Sequence, residues 1–336
     1  MEFTSTEYQV VKSTLDQKPT VIPTALILAL DVMLLVVAFL FISSANVWLY
    51  CVSQILLATV FFHSFTIVHE CGHGNVSKHK WLNILIGHAV SPLSLLPYYP
   101  WKYIHSEHHK WAGNINRDPT MRALKMRRDI GKVHGWQRWI WKLWIPLAGM
   151  IQHTVFWAYP MVLISEGKAS QKKIIHCAIS VIWIFAFWLL GFVLAPSVLN
   201  IATIGPAFVV FFVVYELVNL PHHSDQPVVP REQTDRRLKY WEQHKTTRSC
   251  YYPLFLSEIL FLNFNFHVEH HFFPNLPWHR LRALRKSLKN QLTPNYTETI
   301  GIGWNIENRA KNPEDVFLRE RYIDDSVNCK PNREIN

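Results

Sequence analysis

The chain has 336 residues, 49% of them hydrophobic, and a formal net charge of +10 at pH 7. Length alone suits one large or two ordinary soluble domains, but the placement of charge excludes them. Residues 19–77 and 174–230 contain no Lys or Arg, so all 34 basic residues fall outside two long apolar windows.

The first window opens with TALILALDVMLLVVAFLFIS (24–43) and continues with VWLYCVSQILLATVFFHSFTI (47–67). Each run is about 20 residues, the length that crosses a hydrocarbon core. The first starts too far into the chain, and lacks the basic flank and small-residue cleavage site, to be a removed signal peptide. Two further apolar stretches, 81–101 and 139–164, are broken by Pro, Gly, His or Lys, with Trp and Tyr crowding their ends. They are expected to lie in or dip into the interface without spanning it. The second window supplies two more spans, 174–196 and 201–220. The expected fold class is therefore an all-α membrane protein with four transmembrane helices in two hairpins. The positive-inside rule puts both termini and every basic loop in the cytoplasm. A single domain is expected over 1–300, with a cytoplasmic helical cap from 68–173 and 221–300 that carries a histidine-rich di-metal site. A polar tail, 301–336, carries no motif. In residues 278–292, Trp278, Leu281, Leu284 and Leu288 form an apolar stripe against Arg280, Arg282, Arg285, Lys286 and Lys289, the pattern of an interfacial helix. The five cysteines form no CxxC pair, so neither a thiolate zinc site nor a disulfide framework is indicated.

One five-letter pattern occurs twice: HSEHH at 105–109 and HVEHH at 267–271. With 18 histidines in 336 residues, random placement gives only about 0.05 such HxxHH patterns per chain. A helix turns about 100° per residue, so His105, His108 and His109 share one face, as do His267, His270 and His271. A third cluster, HECGH, sets His69 and His73 one turn apart. The four-span topology brings all these clusters to the cytoplasmic side. There the fourth span ends at Asn219, followed at helical spacing by His222 and His223, between which the sequence leaves the choice open. Nine imidazoles are too many for one metal, since a structural zinc closes at four ligands. They suit two metals with four or five nitrogens each, and imidazole leaves Zn, Cu, Fe or Ni open. Glu70, Glu107 and Glu269, inside the clusters, are candidates to accept the other ring N–H. Glu216, near the cytoplasmic end of the fourth span, is an intramembrane carboxylate and a candidate for supporting the ligands or delivering protons. Asp31, in the first span, has no cluster nearby, and His63, His79, His88, His134, His153, His176, His244 and His279 fit no ligand spacing.

The order HECGH, HSEHH, NLPHH (219–223) and NFNFHVEHHFFPNLPW (263–278) resembles the membrane-bound fatty acid desaturase superfamily, over roughly residues 60–290. The resemblance implies four spanning helices under a cytoplasmic cap and a histidine-ligated di-iron centre, so two iron ions and O2 as co-substrate. It also implies that His69, His73, His105, His108, His109, His267, His270, His271 and His223 are ligands, with His222 their neighbour and Asn219 positioning a metal-bound water. The first box has three residues between its histidines, where the acyl-CoA branch has four. The third begins with His267, where the front-end branch usually has Gln. Both departures point to the acyl-lipid branch. Carotenoid or alkane hydroxylases and ketolases share much of the pattern and form the alternative within enzymes.

Removing hydrogen from an unactivated CH₂ needs an oxidant made from O2 at a metal, with the protein supplying ligation, orientation and a dry pocket. The expected reaction places a double bond in a lipid acyl chain. Without a dinucleotide-binding fingerprint, electrons are expected from an external ferredoxin or small haem carrier, whose acidity would suit the basic face. That face also suits anionic membrane lipids, and no nucleic-acid partner is expected. No retention or transit signal is evident, which favours a bacterial plasma membrane. A metal transporter is the non-enzymatic rival. Transport sites lie near the midplane, whereas these histidines gather at the cytoplasmic ends.

Overall fold

A computed structural model describes residues 4–15, 18–120, 134–167, 169–292, 298–317 and 321–323. The described residues are mostly helical. The first element, α1 (Ser5–Thr14), precedes two long apolar helices, α2 (Val21–Ile42) and α3 (Val47–His73). Two shorter helices follow, α4 (Lys80–Ser94) and α5 (Tyr98–Trp111), and after them α6 (Gly135–Lys142) and α7 (Leu147–Glu166). The second apolar hairpin is α8 (Gln171–Leu194) and α9 (Ile201–His223). The remaining helices are short: α10 (His267–Phe272), α11 (Leu281–Leu292), α12 (Gly301–Ala310) and α13 (Pro313–Phe317). Two three-residue strands, β1 (Ser249–Tyr251) and β2 (Glu298–Ile300), pair in parallel and add a small sheet to the helical plan.

Helix α3 is the hub. It packs against α2, α4 and α9, and from Ser53 to Cys71 most of its side chains are buried, including Phe61, Phe62, Phe65 and Val68. The outer helices behave in the opposite way. Leu26, Val32, Met33, Val36 and Leu40 of α2, and Ile182, Phe185, Leu189 and Val193 of α8, are exposed. Exposed apolar surface on this scale marks a lipid-facing side. Among the described residues, five helices (α2, α3, α7, α8 and α9) are long and apolar enough to cross a membrane by length and composition. The fifth is α7, which falls in a stretch the sequence assigned to the interface. At 15 residues, α4 reaches only about 22 Å at 1.5 Å per residue, short of a hydrocarbon core of about 30 Å.

The stripe on residues 278–292 turns out to face protein. Leu281, Leu284 and Leu288 are buried in one cluster with Tyr8 and Val11 of α1 and with Phe266, Val268 and Phe272 beside α10. An amphipathic pattern fixes which face is covered, not what covers it. Lys289, read as part of the basic face, lies where side chains are outside the described residues, as does Cys329. Helix α12 is tied into the membrane helices: Asn305 donates to the Leu217 carbonyl at 2.8 Å, and Arg309 pairs with Glu216.

Candidate metal centre

Each histidine run reaches the site on a differently built support. Helix α3 continues six residues past the end of its apolar run, so His69 and His73 emerge from the bundle on one face; Gly74, at φ 81°, then ends it. Helix α5 starts after Pro97 and presents His105, His108 and His109. His222 and His223 close α9. Helix α10 is a turn and a half, too short to hold itself. It is fixed from outside: Val268 N donates to Ser249 Oγ at 2.9 Å, and Cys250 N donates to the Asn265 carbonyl at 2.9 Å.

These supports converge the imidazoles into two adjacent groups. His69, His73, His105 and His270 have ring nitrogens within 4.8 Å of one another, and so do His108, His223, His267 and His271. His109 joins the first group, its Nε2 lying 2.9 Å from Nε2 of both His105 and His270. In the second group Nε2 of His223 lies 3.2 Å from that of His108 and 2.9 Å from that of His267. His222 is fully buried but outside both groups: its ring stacks on His267 at 4.0 Å, and neither of its nitrogens has a partner.

The opposite ring nitrogens decide what these contacts mean. His108 Nδ1 is 3.0 Å from both oxygens of Asp118, His271 Nδ1 is 2.7 Å from Gln243 Oε1, and His223 Nδ1 is 3.4 Å from the Thr246 carbonyl. All three partners are acceptors, so each Nδ1 carries the proton and each Nε2 presents a lone pair. Nε2 of His108 and Nε2 of His223 thus confront each other at 3.2 Å with no hydrogen between them, a repulsive contact that a shared cation reverses. The spacing fits. Metal–imidazole bonds of about 2.1 Å set adjacent nitrogens about 3.0 Å apart in octahedral and about 3.4 Å apart in tetrahedral coordination. The donor set therefore suits two metal ions held by nitrogen. Burial holds the imidazoles of His105, His109, His267, His270 and His271 well below the usual histidine range, and neighbouring imidazoles push in the same direction. Neutral ligands at neutral pH follow.

The supporting residues include one of the three glutamates the motifs suggested. Of the three cluster glutamates, Glu70 accepts from His69 Nδ1 at 3.1 Å and from Trp278 N at 2.9 Å. Glu107 is exposed beside Lys110, and Glu269 accepts from Ser249 Oγ at 2.6 Å. Glu70 thus fills its expected place behind His69, while Asp118, Gln243 and Thr246, outside the motifs, stand behind His108, His271 and His223. Asp118 had a faint signal, an acid ten residues past His108, but Gln243 sits in an unremarkable polar stretch. Gln243 also donates from Nε2 to the His109 carbonyl at 2.9 Å, so one amide touches a residue of each group. Trp101 lies flat on His105 at 4.3 Å, and Phe264 meets His69 edge-on at 5.2 Å, sealing the first group on two sides.

Glu216 and Asn219 lie just below. Glu216 is 1% exposed and accepts from Gly149 N at 2.7 Å and from Arg309, so its carboxylate caps α7 and holds α12. Asn219 Nδ2 donates to Tyr215 Oη at 3.1 Å and to Gln152 Oε1 at 3.4 Å.

The model of one protein family, fatty acid desaturase, matches residues 17–302. Among relatives, the sn-1 oleoyl-lipid 12-desaturase of Anabaena variabilis is 25% identical over 273 residues, covering 76% of this chain and 73% of its own. The cytochrome b5-type acyl-lipid omega-3 desaturase of the endoplasmic reticulum of Arabidopsis thaliana is 26% identical over 287 residues, 79% of this chain and 69% of its own. The ferredoxin-type sn-1 acyl-lipid omega-3 desaturase of Nostoc sp. (strain 36) is 36% identical over 91 residues, 27% of this chain and 25% of its own. With a family match spanning most of its length and long apolar helices converging on clustered imidazoles, the chain belongs to the fatty acid desaturase family, multi-pass membrane oxidoreductases that act on lipids.

Proposed function

We propose that this protein uses O2 and two iron ions to introduce a double bond into the acyl chain of a membrane lipid. The observation that carries the reading is the pair of imidazole groups whose Nε2 lone pairs converge. His69, His73, His105, His109 and His270 would hold one ion, and His108, His223, His267 and His271 the other. His222 serves as packing against His267. Iron held there would supply the oxidising power that no side chain has: O2 would be reduced to water with two hydrogens from adjacent acyl carbons and two electrons and two protons from outside. The chain's own residues hold and orient. Asp118, Gln243 and Thr246 fix the tautomers, Trp101 and Phe264 exclude water from the first group, and Asn219 is placed by Tyr215 and Gln152 to orient a polar ligand at the second. Glu216 anchors α7 and α12.

The four-span topology is supported by parity. The ends of α3 and α9 meet at one site, so an even number of crossings separates them. Helices α8 and α9 supply two; a full crossing by α7 would make three and split the site across the bilayer. The two windows without Lys or Arg support a cytoplasmic site and cytoplasmic termini. A one-electron carrier of the ferredoxin or cytochrome b5 class, as named for the relatives, would supply the electrons. The test is gas chromatography of lipids from a host expressing the chain or its His109→Ala variant. A new olefin, absent with the variant, is expected; a new alcohol or ketone in its place refutes desaturation.

A further inference from the structure

Two polar residues within the spans take no part in the metal centre. Asp31 of α2 and His63 of α3 are 4% and 0% exposed, with Asp31 Oδ1 2.6 Å from His63 Nδ1. The other ring nitrogen, Nε2, lies 2.6 Å from the Ile259 carbonyl oxygen. A carbonyl only accepts, so Nε2–H donates to it. One imidazole therefore ties α2 and α3 to the short π-helical turn Leu256–Leu260.

The depth of this contact can be counted from either helix. His63 lies four residues before Ile67, where the apolar run of α3 ends, or about 6 Å inside that end at 1.5 Å per residue. Asp31 lies seven residues into the run that begins at Thr24, or about 10 Å by the same rise. Both counts set the Ile259 carbonyl below the level at which the apolar helix surface begins. Backbone at that depth is tolerated only when its polar groups find donors inside the protein, and His63 is that donor. The segment's composition agrees. In PLFLSEILF (253–261) the one charge, Glu258, pairs with Arg282 at 2.6 Å. Leu254, Phe255 and Ile259 are 49%, 63% and 56% exposed, while Phe261 is buried. Leu262 and Asn263, at φ 47° and 57°, then bend the chain back toward His267.

We infer that residues 253–261 form a re-entrant tip inserted into the hydrocarbon beside α2 and α3. Leu254, Phe255 and Ile259 contact lipid acyl chains, and the Asp31–His63 pair pins the tip in place. Because the tip runs into α10 within six residues, the pin is also a positioning pair for the last histidine run. The inference is independent of which metal the histidines hold.

The test uses the full-length protein in lipid nanodiscs, with Cys51→Ser and Cys329→Ser and an environment-sensitive fluorophore on Phe255→Cys. Quenching by lipids brominated on their acyl chains is expected, with none by aqueous iodide, while the same label on Glu232→Cys in the cap gives the reverse. Adding His63→Leu should raise iodide quenching at position 255 about tenfold, as the loss of one buried hydrogen bond allows. Asp31→Asn, which keeps the shape, should raise it less and serves if His63→Leu does not fold. Quenching by iodide in the parent with the pin intact, or by neither reagent as a second copy covering the tip would give, overturns the insertion. Unchanged shielding in both pin variants overturns the pin.

Discussion

Asp118→Asn isolates one contact behind the second imidazole group. The carboxylate is fully buried and receives His108 Nδ1 at 3.0 Å on each oxygen, Thr120 N at 2.9 Å on Oδ1 and Gly113 N at 3.2 Å on Oδ2. An amide of the same shape offers one acceptor where three N–H groups converge. Whichever way it turns, its NH₂ faces another donor. A buried donor left unsatisfied costs about 1–3 kcal/mol. Loss of the acceptor behind a ligating imidazole costs about 10–100-fold in metal affinity, or about 1.4–2.8 kcal/mol. The two estimates overlap near 2 kcal/mol, so iron retention at the second group should weaken about 30-fold. The assay is iron per purified chain after equilibration with graded chelator, the parent and the variant side by side. Equal retention across the chelator series would refute both the tautomer assignment and the grouping of His108 with His223.

Three other outcomes follow from named contacts. A Cβ on Gly72, between His69 and His73, would come within 2.3 Å of Trp101; Gly72→Ala should push the indole off His105, cost about 1–3 kcal/mol and raise iron loss to chelator, read together with tryptophan fluorescence. Arg309→Leu strands a buried carboxylate and should destabilise by about 3–5 kcal/mol in detergent unfolding, while Glu216→Gln with Arg309→Leu recovers part of it. A double variant no more stable than the single would show that the pair is not what holds α12. The third concerns pH. Burial depresses the pKa of His105, His109, His267, His270 and His271. Below about pH 6.5 the unfolded chain therefore binds protons that the fold refuses, and stability falls as pH falls. Each group contributes up to about 1.4 kcal/mol per pH unit. Metal-free protein should lose stability steeply from pH 6.5 toward 5, and a flat profile over that range would mean the imidazoles are solvated.

Charge and apolar length are read residue by residue, because the bilayer rewards each apolar side chain wherever its partners lie. That is why the two windows without Lys or Arg delimit α2, α3, α8 and α9 closely, and why the element the sequence assigned differently is α7, whose apolar run is interrupted but long. Histidine spacing was legible for a related reason: i, i+3 and i+4 share a helix face whatever the helix packs on. Residues that act across the fold carry no such local mark. His63 and Asp31 were single letters in apolar runs until the Ile259 carbonyl met them, and the leucine stripe of α11 showed that a face would be covered but not that α1 would cover it.

The amino-acid order by itself determined how many imidazoles come together and at which helix ends, since periodicity and hydrophobic length are properties of one segment. Only the tertiary structure decided how they divide into five and four, that His223 enters a group while His222 stacks beside it, and that Asp118, Gln243 and Thr246 stand behind them. Those choices depend on distances between separate segments, from ten residues apart for His108 and Asp118 to 161 for His109 and His270, and packing of α3, α5, α9 and α10 against one another is what sets them.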